Sequence, residues 1–153
     1  MSVRFLGLCL AAALFVAGAS VPRAGAADLV PLTIDTASGS HAFRVEIAAD
    51  DSSRETGLMY RRRLDADYGM LFDFAQTQPV AMWMKNTYVP LDMVFILPGG
   101  VVHRVEENTD PLSERVIESG VPVRYVLELP AGTAAKIGLK RGDRIHTALI
   151  DGK

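Results

Sequence analysis

The chain has 153 residues, 49% of them hydrophobic and 22% charged, with 16 Lys and Arg against 18 Asp and Glu. That composition fits one globular domain and excludes a fibre or a disordered chain. A net charge of −2 leaves no basic excess to neutralise phosphates, so nucleic-acid binding is set aside.

The amino-terminal residues come first. Arg4 precedes an apolar run from Phe5 to Ala19, and Ala24-Gly25-Ala26 supplies an A-x-A cleavage signal. These features predict a secretory signal peptide over residues 1–27. The run is shorter than the ~20 residues of a spanning helix, so no stable membrane span is expected after cleavage. Cys9, the one cysteine, falls inside it. The expected mature domain, residues 28–153, therefore has no disulfide, thiol nucleophile or thiolate ligand. Losing Arg4 and Arg23 leaves 14 basic against 18 acidic residues, a balance of −4. The expected location is periplasmic or secreted.

Val30, Leu32 and Ile34 alternate, as do Phe43, Val45 and Ile47, with turn-forming residues 36–40 between them. This predicts a hairpin. Ser52 and Glu55 match a capping box, predicting a helix of about two turns that ends near Arg61-Arg62-Arg63. Residues 69–74 return to strand alternation, and a polar loop over 75–79 follows. In the next stretch Val80, Met82 and Met84 share one face, and Ala81, Trp83 and Lys85 the other. Residues 91–97 read as a central strand. A three-residue loop pairing Leu97 with Val101 would put Met93, Phe95, His103 and Val105 on one face and Asp92, Arg104 and Glu106 on the other.

A polar connection over 107–122 is expected to hold a helical turn at 113–118. Tyr125, Leu127 and Leu129 mark another strand. Residues 131–137 predict a second short helix, with Gly138 as a left-handed cap and Leu139 as its hydrophobic follower. A last strand is expected over 144–150. The tally is about eight strands and two short helices. The fold class is α+β, mostly β: a small antiparallel-rich curled sheet or partly closed barrel.

The chemistry-bearing residues crowd into one segment. Trp83, Lys85, Asn86 and Asp92 lie within ten residues, and Arg54 can reach them from the first helix. Trp83 would stack on an apolar or sugar face. Lys85 and Arg54 would attract negative charge, and Asn86 and Asp92 would orient the ligand by hydrogen bonds. Three scaffold readings stand beside these roles. Asn86 can hold a turn, Lys85 can lie over Trp83, and Asp92 can pair with Arg104.

An alternative is a Cu(I) carrier using Met82, Met84 and His103, since thioethers and imidazole suit that ion. Against it, alternating methionines in a strand are usually core. No G-x-S-x-G elbow, P-loop or H-E-x-x-H motif is present, so a hydrolase would need a site the motifs do not reveal. The reading favours binding over catalysis, with no cofactor, and a small ligand or a periplasmic protein as partner.

The motifs "RETGLMYRRRL", "GMLFDF", "MWMKNTYVPLDMVFI" and "VLELPAGTAAKIGLKRGDRI" occur in that order. Together they resemble the domain of unknown function 192, an uncharacterised bacterial and archaeal family, over about Leu32 to Ile150. The resemblance implies a compact single domain, often exported, with no assigned activity. Its motif positions here include Arg54, Gly57, Met59, Gly69, Trp83, Asn86, Thr87, Pro90 and Asp92. Met82 stands where the family pattern has phenylalanine, which counts against Met82 as a family metal ligand.

Overall fold

The computed structural model describes residues 28–152; the expected signal peptide lies outside them. The strands are β1 (Val30–Thr36), β2 (Gly39–Ala48), β3 (Tyr68–Gln78), β4 (Ala81–Met82), β5 (Leu91–Ile96), β6 (Val102–Glu106), β7 (Ile117–Glu118), β8 (Val123–Pro130) and β9 (Arg144–His146). The helices are α1 (Asp51–Thr56), α2 (Thr133–Ile137) and α3 (Ala148–Asp151). Seven strands form one curled mixed sheet in the order β6-β5-β8-β3-β2-β1-β9, and β4 pairs with β7 beside it. Only β2 and β3 run parallel, because α1 and its following turns carry the chain back between them. No helix among the described residues is long and apolar enough to cross a membrane.

The sheet is covered on both faces, so its central strands are buried on both sides and mostly apolar. All six residues of β5 are buried. On one face Leu32, Ile34, Val45, Leu71, Val94 and Leu127 meet Ala134 and Ile137 of α2 and Ile150 of α3. On the other, Met70, Phe72, Met93, Phe95 and Val126 meet Leu58, Val80, Met84 and Ile117 from the covering segments. Strands β3, β5 and β8 send residues to both clusters, as the pleat allows.

Several local expectations hold. The β1/β2 hairpin pairs Thr36 with Gly39 and buries Leu32, Ile34, Phe43 and Val45. Gly138 caps α2 at φ 67°, and the N–H of Leu139 donates to the Ala134 carbonyl at 2.9 Å, closing the expected left-handed cap.

Others are corrected. The α1 capping box is Asp50 with Ser53, not Ser52 with Glu55: the Ser53 N–H donates to Asp50 Oδ1 at 2.9 Å. β3 continues through Gln78 instead of ending in a loop, with a register shift between Asp73 and Gln78. Residues 113–118 are not helical; Ile117 pairs with Met82. The last strand stops at His146, and α3 makes a third helix.

The β5/β6 register also differs. Phe95 pairs with Arg104 and Ile96 with Val102, so His103 is the extra residue of a bulge. Arg104 and Glu106 therefore share the Phe95 face. There the Arg104 guanidinium covers the Phe95 ring at 5.4 Å and pairs with Glu106.

Asp92 shows how the two faces are tied to their coverings. Its side chain, 0% exposed, projects from β5 to the start of α2. Gly132 occupies the cap position of α2 and has no side chain to accept there. Asp92 Oδ2 accepts from Ala134 N–H at 2.8 Å instead, and Oδ1 accepts from Asn108 N–H at 2.9 Å. A carboxylate at a helix amino end also meets its partial positive charge. Asp92→Ala would leave two backbone donors unmatched, at ~1–3 kcal/mol each. Urea denaturation should show a loss of roughly 2–5 kcal/mol, with Asp92→Asn losing less.

Candidate functional site

The register of five strands places three glutamates in one row. Glu46 of β2 lies opposite Met70 of β3, and Met70 opposite Glu128 of β8. Glu128 lies opposite Met93 of β5, and Met93 opposite Glu106 of β6. The order across the sheet is Glu-Met-Glu-Met-Glu, all on one face.

The outer two acids have arginine partners. Arg61 binds Glu46 through both carboxylate oxygens, at 2.9 and 2.8 Å, and the Tyr68 hydroxyl donates to the same group. Glu106 accepts from Arg115 at 2.7 Å and also pairs with Arg104. The Arg115 hydrogen bond, ahead of the Arg104 charge, holds the Glu106 carboxyl below its ordinary range.

Glu128 differs. It is 4% exposed, and its Oε2 has no hydrogen-bond partner among the described residues. Burial without a partner pushes its pKa up to about 8, so it is mostly protonated at neutral pH.

Glu128 lines a cavity of about 140 Å³. Phe72, Phe74, Leu58, Met59 and Met82 form apolar walls, and Arg54, Glu55 and Trp83 also border it. The free volume is about ten times the ~10–15 Å³ that one water needs. A second cleft of about 290 Å³ adjoins it and shares Glu55, Thr56, Met59 and Trp83. Tyr60, Lys85 and Asn86 complete that cleft.

Local backbone shapes both. Gly57, after α1, adopts φ 48°, and a Cβ there would lie 3.2 Å from the Phe72 ring. Tyr60 and Asn86 both adopt positive φ, 65° and 55°, and the Tyr60 N–H donates to the Asn86 carbonyl at 2.9 Å. Two neighbouring left-handed residues that are not glycine mark a strained rim.

The expected residues divide accordingly. Arg54, Met82 and Trp83 line the inner cavity, and Trp83, Lys85 and Asn86 line the outer cleft. Arg54 does not offer its guanidinium freely. It donates to the carbonyls of Ala49 and Asp73 at 2.6 and 2.8 Å and pairs with Asp51. Lys85 lies over the Trp83 ring, its Nζ 4.9 Å from the centroid. Asn86 donates to the Tyr60 hydroxyl at 3.0 Å. Trp83 is 44% exposed.

Asp92 lines neither space, and its oxygens are bound as described above. It does not pair with Arg104. Of the copper alternative, Met82 lines the cavity, while Met84 is buried with its sulfur 3.1 Å from the Thr109 hydroxyl. His103 sits in the β5/β6 bulge and borders neither space. Among the described residues no three His, Cys, Asp or Glu side chains cluster as a metal site.

Sequence reasoning missed Glu128. The signal was present: in "VRYVLELP" every residue from Val123 to Leu129 except Arg124 and Glu128 is apolar. A strand that is apolar on both faces is covered on both faces, so a lone acid within it is buried.

The model of the DUF192 family, described as "Uncharacterized ACR", matches residues 33–147. A Sinorhizobium meliloti crystal structure, provisionally described as a transcription regulator, is 53% identical with a TM-score of 0.77, covering 78% of this chain and 94% of that one. A protein of unknown function from Novosphingobium aromaticivorans is 34% identical with a TM-score of 0.77, covering 84% of this chain and 91% of that one. No curated protein matches.

The raised Glu128 pKa makes stability depend on pH in a defined direction. Unfolded, the group titrates near 4.5; folded, near 8. Between those values the folded state binds more protons, so stability falls as pH rises, and the loss saturates above about 8. At ~1.36 kcal/mol per unit the loss is bounded near 5 kcal/mol. Glu128→Gln removes it. Relative to wild type, the variant should gain stability between pH 5 and pH 8.5 in paired denaturant melts; parallel curves would show that Glu128 is ionised in the fold.

Proposed function

The chain belongs to the DUF192 family, and we propose that it is a non-catalytic, exported binding protein for a small ligand held beneath Trp83. The observation that carries this reading is Glu128: a buried carboxyl with an unmatched oxygen, lining a cavity whose walls are mainly apolar. Buried polar atoms are nearly always hydrogen-bonded, and exceptions cluster where a protein binds or reacts. An apolar pocket with one convergent polar group is the usual form of a small-molecule site.

Binding is favoured over catalysis by what surrounds that carboxyl. Among the described residues no nucleophile or base hydrogen-bonds to Glu128, so no preassembled nucleophile–base pair stands there. The export expectation rests on residues 1–27 and gives the protein access to solutes outside the cytoplasm.

A role in transcription, the provisional description of the S. meliloti protein, fits this chain poorly. Arg44, Arg54, Arg61, Arg104, Arg115 and Arg124 are each paired with a carboxylate. Arginines already neutralised this way offer little to a phosphate backbone.

Native mass spectrometry of the protein taken from its own compartment, without refolding, tests the reading. A bound small-molecule mass is expected. Trp83→Phe should weaken its retention at least fivefold while changing stability by under about 1 kcal/mol, since the ring is half-exposed. A bare protein in both forms would remove the reading.

A further inference from the structure

We infer that the ligand of this cavity carries a small organic cation, an alkylammonium group, that binds against Glu128. The inference rests on the proposed binding function and adds the ligand's chemical class.

The first argument is the donor and acceptor inventory. Glu128 Oε2 has no donor from the protein. Arg54, the cation bordering the cavity, is engaged by two carbonyls and by Asp51, leaving Glu55 and Glu128 as the other charged groups there. The Thr87 hydroxyl donates to the Lys85 carbonyl at 3.2 Å. Two carboxylates without an arginine partner, Glu55 and Glu128, thus border the cavity beside the Thr56 hydroxyl and the Trp83 indole N–H, and an ammonium group with its three N–H bonds complements the carboxylates.

The second argument is the wall. Phe72, Phe74 and Trp83 border the cavity together with the thioethers of Met59 and Met82. Ring faces attract cations. Two of these rings already do so: Arg54 lies 5.9 Å from the Phe74 centroid, and Lys85 lies over Trp83. Thioether sulfur is a weak acceptor and tolerates an alkyl group beside it. An anion would instead meet an acid and aromatic faces of the wrong sign.

The third argument is the row of glutamates. Its outer members show what this sheet face does with a carboxylate: each is matched by arginine. Among the described residues the middle position alone has no cation beside it, and it lines the cavity beneath Trp83. A ligand ammonium would complete the same pattern.

The protonation balance is explicit. Near pH 7 Glu128 is mostly neutral, so binding an alkylammonium ion releases one proton from its carboxyl to solvent; no other bond changes. The charged groups that face Glu128 are few. Met70 and Met93 flank it from β3 and β5; Glu46 and Glu106 lie one strand beyond, each neutralised; Arg54 and Glu55 of α1 border the cavity, and Lys85 lies over Trp83 at its lip. Glu128 therefore governs the pH response. Affinity should rise about tenfold per pH unit below its pKa and level off above it.

The test follows the single indole N–H resonance of Trp83, the only tryptophan, while ethylammonium, propanol, acetamide or acetate is added to the full-length mature protein. Ethylammonium should shift it saturably, with affinity rising at least tenfold from pH 6 to pH 8. Glu128→Gln should abolish both the binding and the pH dependence. Should that variant fail to fold, the wild-type pH dependence decides alone. Saturable binding of propanol, acetamide or acetate in place of ethylammonium would overturn the cation class and leave the cavity as a binding site. Ethylammonium binding that ignores pH and survives Glu128→Gln would overturn the assignment to Glu128. No saturable shift with any probe would overturn the cation class, and the mass-spectrometric result then decides separately whether the cavity binds anything.

Discussion

The burial of Glu128 is the constraint on which the rest of the site depends. A sheet covered on both faces has no wet surface in its middle, so a carboxyl at the centre of β8 must sit in a medium that disfavours its charge. The neighbouring row positions solve the same problem with Arg61 on one side and with Arg104 and Arg115 on the other. Between them Met70 and Met93 insulate Glu128 from those arginines. The arrangement keeps one acid short of partners while its neighbours are saturated. An alanine or valine there would leave the fold more stable, so the acid is where stability gives way to another requirement.

The covering segments are shaped around that position. α1 is too short to hold itself by propensity, and its place is fixed by the Asp50 cap and by Arg54 reaching Ala49 just after β2 and Asp73 within β3. The turn after it needs Gly57 at positive φ to pass the Phe72 ring. Opposite, the chain after β4 keeps the alternation of a strand without its pairing. Met84 therefore points into the core and Trp83 outward, to the lip of the cavity. The Tyr60–Asn86 backbone bond joins the two coverings at their rim. Scaffold and site thus share the same short segment, residue by residue.

Much of this was legible in advance, and the failures have physical reasons. The β1/β2 hairpin and the Gly138 cap follow from local chemistry, which acts over a few residues and is written in them. The β5/β6 register failed because the hydrophobic pattern assumes that charges face water. Arg104 and Glu106 instead neutralise each other while the arginine stem covers Phe95, and the bulge at His103 absorbs the extra residue. The first capping box failed because two overlapping polar pairs satisfied the same spacing, and only the entry direction from β2 selects Asp50. Trp83, Lys85 and Asn86 could be proposed together because they are crowded in sequence, with Arg54 added from the first helix. Glu128 was not, because its significance depends on what covers it from α1 and β4, far away along the chain.

Asp92 and Glu128 separate scaffold from site more sharply than any motif does. Both are acids in central strands, and both are essentially out of water, at 0% and 4% exposure. They project to opposite faces of the same sheet. Asp92 meets two backbone N–H groups, one of them at the amino end of a helix that lacks its own cap, so its charge is matched on folding. Glu128 meets no donor on folding and remains a proton-holding group at neutral pH. Equal burial with opposite satisfaction means that the first acid is matched by the fold itself, while the second is the group on which the proposed binding rests. Sequence crowding drew Asp92 into the candidate site and passed over Glu128, since Asp92 lies near the tryptophan in the chain and Glu128 shares a cavity with it only in space.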